Sequence, residues 1–597
     1  MTFIFYDTET TGLSAGFDQI LQFAALVTDD DLNVVEEVNL RCRPQSHILL
    51  SPGALKITGM RPSDVVSAPL SHYEMVRQIR ALIQRYAPVV LVGYNSLGYD
   101  EGMLRQAFYQ TLHPVYLTNT GDNTRMDMLR VAHAVSQYAP KILTIPSNES
   151  GRPSFKLELL AAANGLLHDQ AHDALSDTRA TLELARLIRA KAQDVWNAMY
   201  QLRSTQMAFE RVSSDELFYY TNPIYGTPTI LATCIAMNAD GHSEVAVFDL
   251  AHDPDPFLDK DFDGVVALLK ETPRRIRKVK MNGQPILMPL TTPPADAVDI
   301  DLEIAQQRAD KIANHSTFGK VVGKALAARF SDRAQPEYVE QRIFEGFPIR
   351  SDTNLMERFH TAPWEERQRI VNCLTDTRFR ELGERLIYLE RPDVLNPRDK
   401  GRWDQWRKDR LTHQGVTPWG TLQSVTGEIT KIEESDPKGA AALLTECRWY
   451  VAAMSQELGV GLWHVVDDRD VASRNHMVVP AHRSDWNTEP MPEDCKIIPI
   501  DLRYSNAEMA KIRLGYIPQD MGQKWFVYFE DDALYFHRSW TGYCTYVVHF
   551  TCGDGYAEVE EFTVNRNKDQ YKCIDDDEDV RMLIFLMDDL LRVNPPA

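Results

Sequence analysis

The chain opens MTFIFYDTETTG, and this stretch constrains the fold more than any other. Five of its first six residues are apolar, as in a strand covered on both faces, and the strand then runs into Asp7 and Glu9 with one residue between them. Side chains alternate along a strand with a period of two, so both carboxylates leave it on the same face. Thr10-Thr11-Gly12 ends the strand. Two acids so placed repel each other unless a cation lies between them, and hard divalent cations such as Mg²⁺ take oxygen ligands of this kind. A solvated strand end fits the same triplet, so the remainder of the chain has to decide.

Through the first 200 residues strand-like and helix-like segments alternate, which predicts an α/β domain with helices against a sheet. Strands are expected at Phe3 to Tyr6, Gln22 to Thr28, Asn33 to Arg41 and Val89 to Val92. Val76, Ile79, Leu82 and Ile83 form the apolar stripe of a helix from Tyr73 to Tyr86. From 208 to 300 short strands and Pro, Gly and Asn turns predict a small β-rich domain. Its most basic stretch, Arg274 to Lys280, precedes Asn282-Gly283 and a return strand, and is expected to form one arm of a hairpin with a basic face. Residues 301–458 read as helical, with long amphipathic stretches at Ile304 to Ala327 and Glu365 to Tyr388. Residues 459–597 return to aromatic-rich strands and end in a helix from Val580 to Leu591, an α+β texture.

Composition narrows the class. A 597-residue chain with 44% hydrophobic and 25% charged residues is ordinary for a multi-domain globular protein, and no apolar run approaches the roughly 20 residues of a membrane span. The amino terminus lacks the layout of a signal peptide, so a cytoplasmic location is expected. Eight scattered cysteines without a Cys-x-x-Cys pair suggest reduced, structural thiols. The net charge of −21 argues against indiscriminate nucleic-acid binding but leaves room for a local basic groove.

Three more features bear on the opening pair. Val89 to Val92 leads into Gly93-Tyr94-Asn95-Ser96-Leu97-Gly98-Tyr99-Asp100, which puts an acid at the start of a helix, where an N-cap role is the simplest alternative. Ala171-His172-Asp173-Ala174-Leu175-Ser176-Asp177 opens a helix with His172 at its start and Asp177 further in, where a first-turn acid favoured by the helix dipole is again the alternative. In order and local spacing Asp7, Glu9, Asp100 and Asp177 with His172 resemble the DEDDh superfamily of 3′→5′ exonucleases, through DTETTG, YNSLGYD and HDALSD. The resemblance implies an RNase H-like fold with a mixed sheet and two metal ions, Mg²⁺ or in its place Mn²⁺, roughly 3.5–4 Å apart. It further implies that Asp7, Glu9 and Asp177 hold one ion, that Asp7 and Asp100 serve the other, and that His172 takes the proton from the attacking water.

Within the superfamily, Leu21-Gln22-Phe23-Ala24-Ala25, Pro52 to Gly59, Arg125-Met126-Asp127-Met128-Leu129 and Pro153 to Glu158 resemble bacterial exonuclease I, as do Lys278 to Leu287 and Glu345-Gly346-Phe347 more weakly. That family's architecture implies an exonuclease domain (1–207), an SH3-like β domain (208–300) and a helical domain (301–458) closing a groove over single-stranded DNA. The implied substrate contacts are Thr10, Gly12, Leu13 and Asn95 beside the acids, Arg125, Arg130, Arg152 and Lys156 for phosphates, and Arg277, Lys278 and Lys280 as a backbone track. Each of these also fits a turn, core or surface role.

The chain departs from the exonuclease I pattern at Thr8, where an aromatic is usual, and at Thr11, where a Phe is usual; proofreading and RNA-trimming relatives share these departures. RNA trimming, directed by residues 459–597 in a stress or anti-phage setting, is therefore the alternative function, and a nuclease-dead binding scaffold a third. Residues 459–597 carry 14 basic and 25 acidic residues, which disfavours nucleic acid there. The stretch Leu534 to Tyr543 reads either as core or as a site for a protein or small ligand.

Overall fold

Thr2–Thr10 forms β1, the central strand of a five-stranded sheet ordered β3-β2-β1-β4-β5, with β2 at Ile20–Thr28, β3 at Val34–Arg41, β4 at Val89–Gly93 and β5 at Thr124–Asp127. β1 runs antiparallel to β2 and parallel to β4, so the sheet is mixed as expected. The computed structural model describes residues 1–148, 150–166, 173–214, 216–222, 229–241, 243–296, 298, 300–328, 336–436, 438–460, 481–483, 486–516, 518, 525–539, 541–552, 556–573 and 575–593. Helices α3 (His72–Tyr86), α4 (Asp100–Gln110), α5 (Met128–Tyr138), α6 (Leu157–Ala163) and α7 (Ala174–Lys191) accompany this sheet, and α1 (Pro52–Thr58) and α2 (Pro62–Val66) precede α3 in the chain.

Period-two alternation divides β1 between two cores. Phe3 and Phe5 pack with Val131, Leu182 and Ala185 of α5 and α7, whereas Ile4 and Tyr6 pack with Val76, Ile79 and Leu104 of α3 and α4. Either core excludes a one-residue slip of the strand, because a slip would exchange the two faces. The register therefore fixes where Asp7 and Glu9 emerge. Between Glu9 and Thr10 the pairing with β2 is interrupted by a bulge, which turns the chain out of the sheet immediately after the second acid.

The chain divides into two compact units, one of Met1–Ile48, Ile57–Gly59 and Val65–Gln405, the other of Leu49–Lys56, Met60–Asp64 and Trp406–Ala597. In the first unit a second five-stranded sheet, ordered β10-β6-β7-β8-β9, contains β6 (Phe218–Thr221), β7 (Ile230–Met237), β8 (Glu244–Asp249), β9 (Ile276–Lys280) and β10 (Ile286–Met288). The expected hairpin is corrected here: β9 pairs with β8 and β10 with β6, at opposite edges of the sheet. Met281 is buried in the short 3-10 turn Met281–Gly283, and the chain crosses the domain instead of reversing on itself. The two long helices expected further on are each broken. Leu302–Asn314 and Ser316–Ala327 meet at His315, whose side chain accepts from the Phe318 amide, and Trp364–Asn372 and Thr377–Glu390 are separated by a stretch ending at the N-cap Asp376.

The second unit contains the helices Leu422–Ser435 and Ala441–Glu457 and an antiparallel sheet ordered β11-β16-β14-β13-β12, namely β11 (Cys495–Ser505), β12 (Trp525–Glu530), β13 (Ala533–Arg538), β14 (Cys544–His549) and β16 (Tyr556–Asn565), with β15 (Thr551–Cys552) paired to β16. The helix Asp576–Val593 covers one face through Leu583, Leu586, Met587 and Leu590. Its acidic run occupies the first turn, where the helix dipole favours it. Leu534, Phe536 and His537 are buried, so the β13 part of the aromatic stretch is core, while Tyr535 and Tyr543 are half-buried and Trp540 lies outside the described residues. Early segments belong to this unit too: Glu428 accepts from Ser51 Oγ and the Gly53 amide at 3.0 Å each, and Glu446 accepts from Arg61 Nε at 2.7 Å and Ser63 Oγ at 3.2 Å.

Candidate active site

The end of β1 meets the first turns of α4 and α7 from opposite sides of the sheet, and the four acids collect there. One carboxylate oxygen each from Asp7, Glu9 and Asp177 lies within 4.8 Å of the other two. Asp7 is pushed well above the usual carboxylate range, first by burial and then by the charges of Asp100, Asp177 and Glu9. Burial raises Glu9 to about 8, with Asp177, Asp100 and Asp173 adding to it and Arg41 opposing. A fold that holds four acids together against this repulsion is arranged for a cation, and oxygen donors alone suit a hard divalent one.

Asp100 is held differently from the other three. Tyr99, not Asp100, is the N-cap of α4, and Asp100 is the first helical residue. Its carboxylate is 4% exposed and accepts a 2.5 Å hydrogen bond from Thr8 Oγ1. Burial lifts Asp100 to about 7, with the Thr8 hydrogen bond acting against that rise. Thr8 thus serves the site from the strand face opposite to Asp7 and Glu9.

Asp177 is positioned from β2 and β3. Across the sheet Glu9 pairs with Gln22 and Gln22 with Arg41. Gln22 Nε2 and Arg41 Nη2 both donate to Asp173 Oδ2, at 3.1 and 3.0 Å, and Asp173 caps α7 by accepting from the Ser176 amide. This row fixes the first turn of α7 against the strand that carries Glu9. His172, immediately before this cap, lies outside the described residues.

The loop after β1 is built inward. Thr11 is 1% exposed and donates to Asp18, which also accepts from the Ser14 amide at 2.8 Å. A β-carbon on Gly12 would stand 2.7 Å from the Asp18 carboxylate, so a side chain here would have to displace Asp18 from its bonds to Thr11 and Ser14. Thr10 Oγ1 donates to the Gly12 carbonyl at 2.9 Å and meets the Tyr99 hydroxyl at 2.5 Å, so this expected substrate contact has its hydroxyl committed to the loop. Leu13 is 87% exposed, which removes the core alternative. Asn95 is exposed with a left-handed backbone, and its amide donates to Asp127.

Asp127 was not anticipated as part of the site. It is 1% exposed and accepts from the amides of Asn95, Leu97 and Leu129 at 2.8, 3.2 and 3.0 Å, tying the loop before Asp100 to the start of α5. Its own amide donates to Gln284 Oε1 at 2.7 Å, and Gln284 donates onward to the Met199 carbonyl.

The expected phosphate contacts separate into two groups. Arg125 is corrected: it is 8% exposed and bonds Glu101 at 2.8 Å inside the domain. Arg277 is likewise paired with Asp249 at 3.5 Å, with its side chain 13% exposed. Arg130 is half-buried and its charge acts on Asp127. Arg152 and Lys280 are exposed, Lys278 is half-buried, and the Lys156 side chain is 72% exposed.

Residues 4–185 match the family described as Exonuclease, and residues 337–454 match the family described as Exonuclease I C-terminal domain. Fold and acid set together define the class of RNase H-like exonucleases. Exodeoxyribonuclease I of Escherichia coli (strain K12) is 27% identical over 469 residues, covering 74% of this chain and 96% of that protein. The structure of a moderately thermophilic exonuclease I from Methylocaldum szegediense superposes with a TM-score of 0.67 at 26% identity, covering 76% of this chain and 99% of its own. E. coli exonuclease I in complex with a dA16 oligonucleotide has the same fold, with a TM-score of 0.68 at 24% identity and the same coverage. The chain belongs to the DEDDh exonuclease superfamily, in its exonuclease I family.

Proposed function

We propose that this chain is a 3′→5′ exonuclease that removes nucleoside 5′-monophosphates from single-stranded DNA and uses two Mg²⁺ ions, Mn²⁺ being able to replace them. The observation that carries the reading is the approach of Asp7, Glu9 and Asp177 to within 4.8 Å, with Asp100 held beside them. When bound, such a pair of ions lowers the pKa of water and offsets charge on the attacking and leaving oxygens of an in-line displacement. Asp7, Glu9 and Asp177 would hold one ion, and Asp7 with Asp100 the other.

The chain's own groups do the remaining work. His172 is assigned the proton of the attacking water, a task matched to an unperturbed pKa of about 6.5. Leu13, exposed at the turn after the acids, is assigned to the terminal base, and Asn95, also exposed, to the same nucleotide. Arg152, Lys156, Lys278 and Lys280 are the cations proposed to follow the phosphates. The thiols of Cys42, Cys447 and Cys544 are free and buried, in keeping with action in the cytoplasm. The domain division 1–207, 208–300, 301–458 and 459–597 forms part of the same proposal.

RNA trimming rested on Thr8 and Thr11, and both side chains turn inward, to Asp100 and Asp18. They say nothing of the sugar, so DNA is retained. The test is to incubate matched labelled DNA and RNA strands with Mg²⁺ or EDTA, using the wild type and Asp7→Ala. Shortening of DNA by the wild type in Mg²⁺ alone is expected. No shortening in any metal would end the enzyme reading, and shortening of RNA alone would end the choice of strand.

A further inference from the structure

The short turn Met281–Gly283, which carries the chain from β9 across to β10, is followed by a residue in a costly conformation. Gln284 has φ +45° and ψ 66°, a left-handed backbone in which any side chain is less stable than glycine. A glycine stands directly before it, yet Gly283 belongs to the 3-10 turn and the strained position carries the amide side chain. That side chain is 3% exposed. Backbone strain of this kind persists where the surroundings over-determine it, and a buried amide needs partners.

Both partners lie in the segment that holds the acids. Gln284 Oε1 accepts from the Asp127 amide at 2.7 Å, and Nε2 donates to the Met199 carbonyl at 3.1 Å. Only one orientation of the amide serves both, because an N–H requires the oxygen and a carbonyl requires the NH₂ group. Asp127 ends β5, and its carboxylate gathers the amides of Asn95, Leu97 and Leu129. A single side chain of the second sheet thus reaches the residue that shapes the loop between β4 and Asp100. Its support is fixed as well: Met281, Ile286, Leu287 and Met288, on either side of Gln284, share one continuous core with Phe3, Phe5, Val131 and Met199.

We propose that Gln284 is a positioning residue for the exonuclease reaction, holding the Asn95 loop through Asp127 in the shape that receives the terminal nucleotide. The second sheet then takes part in building the active site. Removal of Oε1 takes this acceptor from the Asp127 amide and loosens the end of β5, from which the loop is hung. Asp100 follows the same loop but is tied separately by Thr8, so metal binding and the chemical step are spared while the fit of the nucleotide suffers. The proposal rests on the exonuclease reading for the role of Asn95.

The test compares full-length wild type, Gln284→Gly and Gln284→Met on a dinucleotide and on a long DNA strand. Glycine relieves the backbone and removes the side chain, whereas methionine keeps the length and the strain and removes both hydrogen bonds. Both variants are expected to raise KM roughly three- to tenfold, in equal proportion on the two substrates. Their kcat and the Mg²⁺ concentration for half-maximal activity are expected to stay within about twofold of wild type. Hydrogen exchange without substrate is expected to show protection lost at the Asn95 and Leu97 amides and kept in β1 and β2.

A Gln284→Gly protein equal to wild type would show the side chain to be unused, and a Gln284→Met protein equal to wild type would show that bulk suffices; either result overturns the proposal. So would a rise in KM confined to the long strand, a fall in kcat with KM unchanged, or protection lost throughout β1 and β2. A wild type that cleaves neither substrate would overturn the exonuclease reading, and the exchange comparison would still judge Gln284.

Discussion

Thr8 and Asp100, separated by 92 positions in the chain, meet through a buried 2.5 Å hydrogen bond from hydroxyl to carboxylate. The bond orients the fourth acid, whose charge acts on Asp7 and Glu9, and it opposes the upward push of burial on that acid. Thr8→Val keeps the shape and removes the donor. Hydrogen bonds to charged groups contribute about 1.5–3 kcal/mol, so the Mg²⁺ concentration for half-maximal activity should rise roughly ten- to a hundredfold. The acidic limb of the pH profile should move to higher pH, and Thr8→Ser should restore both. A metal titration identical to wild type would remove Thr8 from the site.

Asp7 stands where the repulsion is greatest. Asp7→Asn should lower hydrolysis by about a thousandfold, several kcal/mol of lost charge stabilisation. In EDTA the same variant should melt at a higher temperature than wild type, because one of the crowded charges is gone; each kcal/mol relieved is about 2–4 °C. Differential scanning calorimetry without metal checks this, and a lower melting temperature would contradict the electrostatic account.

The same crowding gives a pH dependence with a definite sign. Glu9 is raised from an ordinary value of 4.5 to about 8, and Asp100 from 3.8 to about 7. A carboxyl whose folded pKa exceeds its unfolded value binds its proton more tightly when folded. Its contribution is complete below the unfolded value and drains away as pH rises through the folded one. Metal-free protein should therefore lose stability between pH 4.5 and about 8, and Mg²⁺ should restore most at the upper end. Melting curves in EDTA that are flat or rising across this window would refute it.

Asp127 is expected to act on the site without touching substrate. Asp127→Ala removes the acceptor of three part-buried amide donors, at about 0.5–1.5 kcal/mol each before relaxation. Loss of order in the loop that carries Asn95 should raise KM for DNA along with the fall in stability. Asp127→Asn retains one acceptor oxygen and should lie between the two. Hydrogen exchange at the Asn95 and Leu97 amides reports the loop directly, and protection unchanged in Asp127→Ala would exclude the role.

Buried and exposed cations should behave oppositely. Arg125→Ala removes one of the two cations, with Arg105, that pair the buried Glu101 and should cost about 1.5–3 kcal/mol of stability, whereas Lys156→Ala should leave stability within about 0.5 kcal/mol and weaken DNA binding in a salt-dependent manner. Urea denaturation and binding at two salt concentrations separate the cases. Stability loss in Lys156→Ala or none in Arg125→Ala would reverse the assignment.

What could be read from the sequence is what local pattern encodes. The alternation of β1 and the spacing of Asp7 and Glu9 foretold the shared face, and helix starts foretold where Asp100 and Asp177 stand. The partner of Thr8 was not legible, because a departure from a family pattern reveals a change and not the residue it meets 92 positions later. Arg125 looked like a free cation since nothing local marks Glu101 as its buried partner. Arg274 to Lys280 looked like half of a hairpin because turn chemistry at Asn282-Gly283 is local, while the pairing of β9 with β8 is set by the sheet. Helix breaks at His315 and before Asp376 escaped notice because the apolar stripe continues across them.

The second unit draws on the segments 49–56 and 60–64 as well as on everything after 405. A ribosome would deliver Ser51 377 residues before Glu428, and Arg61 385 residues before Glu446. These early groups wait, through more than half of synthesis, for acceptors that do not yet exist. A fragment ending at 207 would carry them permanently unmatched.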